Sequence, residues 1–91
     1  ADRHGRTPLH HAAQNGHAAA VAALLRRGAA VDPLDSGKAT PLSLAARYSG
    51  DPAVVGALLR AGAKADRRDA RGKSPADLAR ARGYGDALRL L

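Results

Sequence analysis

The sequence predicts an all-α fold: stacked helix–turn–helix units with hairpin-like connecting loops. Three observations carry this. First, the chain repeats: DRHGRTPLHHAAQNGHAAAVAALLRRGAAVDPL (residues 2–34) aligns with DSGKATPLSLAARYSGDPAVVGALLRAGAKADRR (35–68) and then with DARGKSPADLARARGYGDALRLL (69–91). Second, each unit carries helix start and stop signals at matching places. Third, there is no Phe, Trp, Met or Cys and there are only two Tyr, so any core must be made of Ala, Leu and Val. Small side chains favour helices stacked closely over a deep aromatic core.

The elements follow in order. Thr7, Thr40 and Ser74 recur at spacings of 33 and 34, each followed by proline. A hydroxyl cap with proline at the first helical position is a helix start, because the missing N–H has no intrahelical partner there in any case. Gly16, Gly50 and Gly83 end the first helix of each unit, since glycine takes the left-handed C-terminal conformation cheaply. Asp51 followed by Pro52 restarts a helix in the second unit, and His17 stands in the place of Asp51 as a capping or surface residue. Gly28 and Gly62 end the second helices before AAVD and AKAD. Leu9, Ala12, Ala13, Val21, Leu24 and Leu25, with partners Leu42, Ala45, Ala46, Val55, Leu58 and Leu59, fall at helical spacing on inward faces. From Ala13 to Leu24 is 11 positions and from Ala46 to Leu58 is 12, so RYSGD is expected to hold one extra loop residue, with Ser49 in that loop.

These motifs resemble the ankyrin repeat, whose T-P-L-H-x-A signature has a period of 33. TPLHHAA (7–13), TPLSLAA (40–46), SPADLA (74–79), GAAVD (28–32) and GAKAD (62–66) carry the resemblance over essentially the whole chain. It implies an ankyrin-repeat solenoid forming one domain over 1–91. Repeat one is 2–34, repeat two is 35–68, and 69–91 is a shortened C-terminal capping repeat. The second unit departs in one respect: Gly37 sits one position early, leaving Lys38 where Gly5 and Gly72 stand, so its hairpin tip is expected to bend differently.

Three histidines in GRTPLHHAAQNGH (5–17) raise metal and catalytic readings. A zinc site wants three or four converging ligands, and His10 and His11 are neighbours pointing about 100° apart on a helix. The resemblance implies instead that His10 bonds backbone near the Thr-Pro turn and tethers adjacent repeats, with Ser43 in its place in the second unit. His11 shares a column with Leu44 and Leu78, a semi-buried packing position. SGKAT (36–40) lacks the glycine and hydroxyl placement of a phosphate loop, RGYGD (82–86) lacks a dinucleotide-site context, and Ser43 and Ser49 have no His–Asp pair to orient them. No catalytic residue, metal or cofactor is expected, and the chain is read as not an enzyme.

The resemblance implies partner docking on hairpin tips and the concave face of the first helices. Carried over by position, the candidates are Arg3, His4, Arg6, Gln14, Asn15, Leu34, Arg47, Tyr48, Arg68, Arg71, Lys73 and Arg82. Asp2, Asp35 and Asp69 open the hairpin turns and Asp32 and Asp66 close them. These acids are expected to bond backbone, which leaves the tip arginines short of partners. Tyr48, flanked by Arg47, Leu34 and Arg71, is the expected centre, with coverage of the enlarged loop as the alternative reading; Tyr84 is expected to pack at the last helix turn. The formal charge of +7 suits a protein partner with an acidic surface or a nucleic acid and does not decide between them; the resemblance favours the protein. The rival is nucleic acid or another polyanion, against which stands the lack of an aromatic stacking array. A solvated basic surface and a spacer role also stay open. No apolar run approaches the roughly 20 residues that cross a bilayer, so no membrane insertion is expected. A monomer, intracellular and cytoplasmic, is the default. Arg80, in the column of Ala13 and Ala46, and the nearby charges suit a terminal face. The apolar AAAVAALL (18–25) leads us to expect further repeats before Ala1.

Overall fold

A computed structural model describes residues 2–91. Helices α1 (Pro8–Gln14) and α2 (Ala18–Arg26) form the first pair. The second unit has α3 (Pro41–Leu44), running directly into a π-helical turn over Ala45–Ser49, and then α4 (Pro52–Arg60). Helices α5 (Pro75–Arg82) and α6 (Gly85–Leu90) form the third pair. The helices lie in two layers: α1, α3 with its π turn, and α5 pack side by side, while α2, α4 and α6 form the layer behind them. This is the ankyrin-type solenoid the repeats predict.

Each start signal acts as read. The Thr7, Thr40 and Ser74 hydroxyls accept the N–H of His10, Ser43 and Asp77 respectively, and Asp51 accepts that of Ala53 at 2.9 Å. His17 occupies the N-cap of α2, but its exposed side chain makes no capping bond. The core between the layers is Leu9, Ala12, Ala13, Val21, Leu42, Ala45, Ala46, Val54, Val55, Leu58, Ala79 and Ala87, with Leu24, Leu25 and Leu59 partly buried against it. Val54 is an inward residue that the repeat alignment does not single out.

The extra residue of the second unit is not in a loop. It is taken up inside the helix, where Gly50 N–H reaches back five residues to the Ala45 carbonyl at 2.8 Å. Ser49 therefore belongs to the π turn. Its hydroxyl, at 3.1 Å from Ala45 O and 3.2 Å from Ala13 O, fastens the widened turn to the first unit.

The second hairpin tip also corrects the expectation. It bends as the others do: Lys38 N–H donates to Asp35 O at 3.0 Å, matching Gly5 to Asp2 and Gly72 to Asp69 at 2.9 Å each. Lys38 achieves this at φ 60°, in the left-handed region. A side chain there costs on the order of 1 kcal/mol, partly offset by the larger unfolded-state freedom of glycine. Lys38→Gly should therefore stabilise the domain by about 0.5 kcal/mol and raise its melting temperature by a few degrees. A thermal melt showing no rise rejects this account of the tip.

Neighbouring tips are joined by backbone. Ser36 N–H donates to His4 O at 2.8 Å and Ala70 N–H to Gly37 O at 2.9 Å. Behind them, Lys64 N–H donates to Asp32 Oδ2 at 3.0 Å. Asp66, the counterpart of Asp32, is exposed and has no such partner among the described residues.

Candidate protein-binding face

The turn acids hold the tips rigid. Asp2, Asp35 and Asp69 each use Oδ1 to accept two backbone N–H groups, from His4 and Arg6, Gly37 and Ala39, and Arg71 and Lys73. The Arg6 N–H is the main cause that holds the Asp2 carboxyl at about 2, with the His4 N–H and the His11 ring adding to it. Burial pushes Asp35 up, but the Ala39 N–H, the Arg6 guanidinium and the Gly37 N–H together keep it below the ordinary carboxylate value. Asp77 is lowered by the Ser74 N–H and hydroxyl, with Arg68 and Arg80 nearby. Carboxylates depressed in the folded state bind protons more readily when unfolded. Their stabilisation is complete above about pH 4 and is lost as pH falls towards about 2. The melting temperature should fall across that window, and Asp35→Asn should be less stable at neutral pH yet lose less on acidification. Identical acid profiles for the two proteins would contradict this assignment.

Between the tips and the inner helices runs a groove in two adjoining parts. One, about 230 Å³, is lined by His4, Arg6, Asp35, Leu44, Arg47 and Arg71 among others. The second, about 250 Å³, is lined by Arg47, Asp69, Arg71, Lys73, Asp77, Leu78, Ala81 and Arg82. Arg47, Asp69 and Arg71 border both, which makes the groove continuous. Leu44 and Leu78, assigned from sequence to a packing column, line it as well. Their column and the tip positions together are the sequence signal for it.

Six of the twelve candidates thus line the groove: His4, Arg6, Arg47, Arg71, Lys73 and Arg82. Arg6 is not short of partners, since it pairs with Asp35 at 3.2 Å and donates to Gln14 Oε1 at 2.8 Å. Arg68 lies outside the groove, held by Gly72 O at 2.8 Å and by Asp77 at 3.4 Å. Arg3, Asn15 and Leu34 are exposed and line neither part, so Leu34 does not join the expected cluster.

Tyr48 is 39% exposed at the end of the π turn. The Arg47 guanidinium lies 5.0 Å from its ring centre and that of Arg82 5.9 Å, both within cation–π range. Tyr84 reaches it from the third unit, donating its hydroxyl to Tyr48 O at 3.2 Å. Tyr84 also packs against the core, as expected. It stands at the N-cap of α6 with its ring over Gly50.

The histidines serve the scaffold. The His10 Nδ1 accepts the Thr7 N–H at 3.0 Å, which places the ring proton on Nε2, where it is donated to Ala39 O at 2.8 Å. The ring is fully buried, and its two nitrogens join the first unit to the second. Ser43 does not repeat this: among the described residues its hydroxyl meets only Thr40 Oγ1, at 3.1 Å, and it is too short to cross to the third unit. His11 is exposed in this structure rather than semi-buried, and its Nε2 lies 2.7 Å from Asp2 Oδ2.

A family model for ankyrin repeats (three copies) matches residues 1–69 of the 91. Over 40 residues the chain is 52% identical to inversin of Danio rerio, a match spanning 44% of this chain and 4% of that protein. Repeats of this kind serve generally as non-catalytic modules for protein–protein interaction. The repeat period, the capped helix pairs, the tethering histidine and the family match agree: the chain belongs to the ankyrin-repeat family.

Proposed function

We propose that this domain recognises a protein partner through the groove between its hairpin tips and inner helices, without catalysis. The observation that carries the reading is the continuous groove bordered by Arg47, Arg71, Lys73 and Arg82, none paired with a carboxylate among the described residues, with exposed Tyr48 beside it. Aromatic and arginine side chains dominate interface energetics, and unpaired cations select an acidic partner surface. The remaining candidates Arg3, Gln14, Asn15, Leu34 and Arg68 border the tips and helix ends as a rim. The domain acts as a monomer inside the cell in this reading. Residues 69–91 are the third, shortened repeat in this reading, with Arg80, Arg82, Asp86 and Arg89 exposed on it.

Pull-down with the domain, followed by mass spectrometry, identifies the partner, and its binding kinetics test the face. Arg71→Glu with Arg82→Glu should slow association by about fivefold or more, with a rate that falls as salt rises. Tyr48→Ala should speed dissociation instead. Unchanged kinetics in both variants would remove the groove from the interface. The unpaired cations also suit phosphates, so tight nucleic-acid binding at physiological salt, with a steep salt slope, would replace the protein partner with a polyanion.

A further inference from the structure

The two parts of the groove differ in charge balance. In the first, Arg6 is already neutralised by Asp35, and its other two arginines, Arg47 and Arg71, are shared with the second. In the second, Arg47, Arg71, Lys73 and Arg82 line one space, with no carboxylate side-chain partner among the described residues. Two acids share that part. Asp69 turns Oδ1 to the N–H groups of Arg71 and Lys73, and Asp77 is occupied by Ser74 N–H, Arg68 and Arg80. Four cations against these two carboxylates leave at least two positive charges in one groove of about 250 Å³. Leu78 and Ala81 add apolar wall.

We propose that this part of the groove is a subsite for a phosphorylated side chain of the partner, a phosphoserine or phosphothreonine. The proposal rests on the protein-recognition reading and sharpens it. A phosphomonoester brings a charge of about −1.5 to −2 and three strong acceptor oxygens on one side chain, matching the uncompensated charge that a single carboxylate half fills. Three of the four cations are guanidiniums, whose planar forks bind phosphate oxygens in pairs. Arg47 and Arg82 flank the Tyr48 ring, which limits the freedom of both. They are thus partly ordered before the anion arrives, which lowers the entropy lost on binding.

The test follows the arginine side-chain and Lys73 resonances by NMR while N-acetyl-phosphoserine amide is added to the intact domain. N-acetyl-glutamate amide serves as the control, and both titrations are run at about 0.15 M salt, where charges beyond about 8 Å are screened. The phosphoserine compound should perturb Arg47, Arg71, Lys73 and Arg82 and bind about fivefold or more tighter than the glutamate compound. Arg71→Gln with Lys73→Gln should abolish the difference while leaving the helical circular dichroism unchanged. Equal affinity for the two compounds overturns the subsite, as does perturbation spread equally to Arg3, Arg27, Arg60 and Arg67. An unphosphorylated partner captured through the same groove would leave the recognition reading standing and remove the subsite alone.

Discussion

Gly50→Ala should be the most damaging single-methyl change in this protein. Gly50 ends the π turn at φ 61°, and a Cβ built on it would lie 2.4 Å from Cγ of Tyr84 and 2.6 and 2.7 Å from the adjoining ring atoms. The left-handed conformation costs about 1 kcal/mol, and driving a held aromatic ring aside costs a further 1–3 kcal/mol. A loss of about 3 kcal/mol in urea unfolding is expected, a large share of the stability of a domain this small. Two controls separate the causes. Gly83→Ala has the same left-handed backbone at φ 73° with open space around the new methyl, and should cost only about 1 kcal/mol. Repeating Gly50→Ala in a Tyr84→Ala background should shrink its cost to a similar figure. Equal losses in both backgrounds would show that the ring contact is not what forbids the methyl.

His10→Ala is expected to come second. Hydrogen bonds alone would set its cost at about 1–2 kcal/mol. Burial raises that figure: the ring is wholly enclosed, so its removal leaves a cavity as well as unpaired groups at Thr7 N–H and Ala39 O. About 3 kcal/mol, or a fall of more than about 10 °C in melting temperature, should result. Added zinc should leave the wild-type transition where it is, because both ring nitrogens are spoken for. A small loss on His10→Ala, or a melting temperature raised by stoichiometric zinc, would refute the tether.

Much of this is legible in the residues, because the signals are local. A Thr-Pro cap, a glycine stop and an Asp-Pro restart each specify backbone within a few positions, and every one acts as read. Sequence reasoning fails where the outcome depends on another unit. The extra residue near RYSGD is equally compatible with a longer loop and with a widened helical turn. What favours the turn is Ser49 finding Ala13 O across the stack, a contact no spacing reveals. Lys38 adopts a glycine-like conformation because the Asp35 carboxylate and the neighbouring tips over-determine the turn. At the candidate face, position alone finds six of the groove residues. It does not show that Arg6 and Arg68 are already engaged, because the pattern gives Asp35 a turn-opening role and Asp77 a place on the polar terminal unit. A carboxylate that accepts backbone N–H groups through one oxygen still has another, and at Asp35 that second oxygen takes the arginine.

The unequal tethering of the units bears on where the stack opens. His10 bolts the first unit to the second, while Ser43 leaves the second joined to the third by tip backbone, by Tyr84 and by small-residue packing. In a linear array, whose stability is a sum over neighbouring interfaces, the weakest seam sets the first partial unfolding. Amide protons of α5 and α6 should therefore exchange with solvent through a lower-energy opening than those of α1 and α3. The cation-rich half of the groove straddles this same seam, with Arg47 on one side and Arg71, Lys73 and Arg82 on the other. An anion clamped there would act as a reversible cross-link, slowing exchange in the third unit more than elsewhere and coupling occupancy of the groove to the integrity of the array.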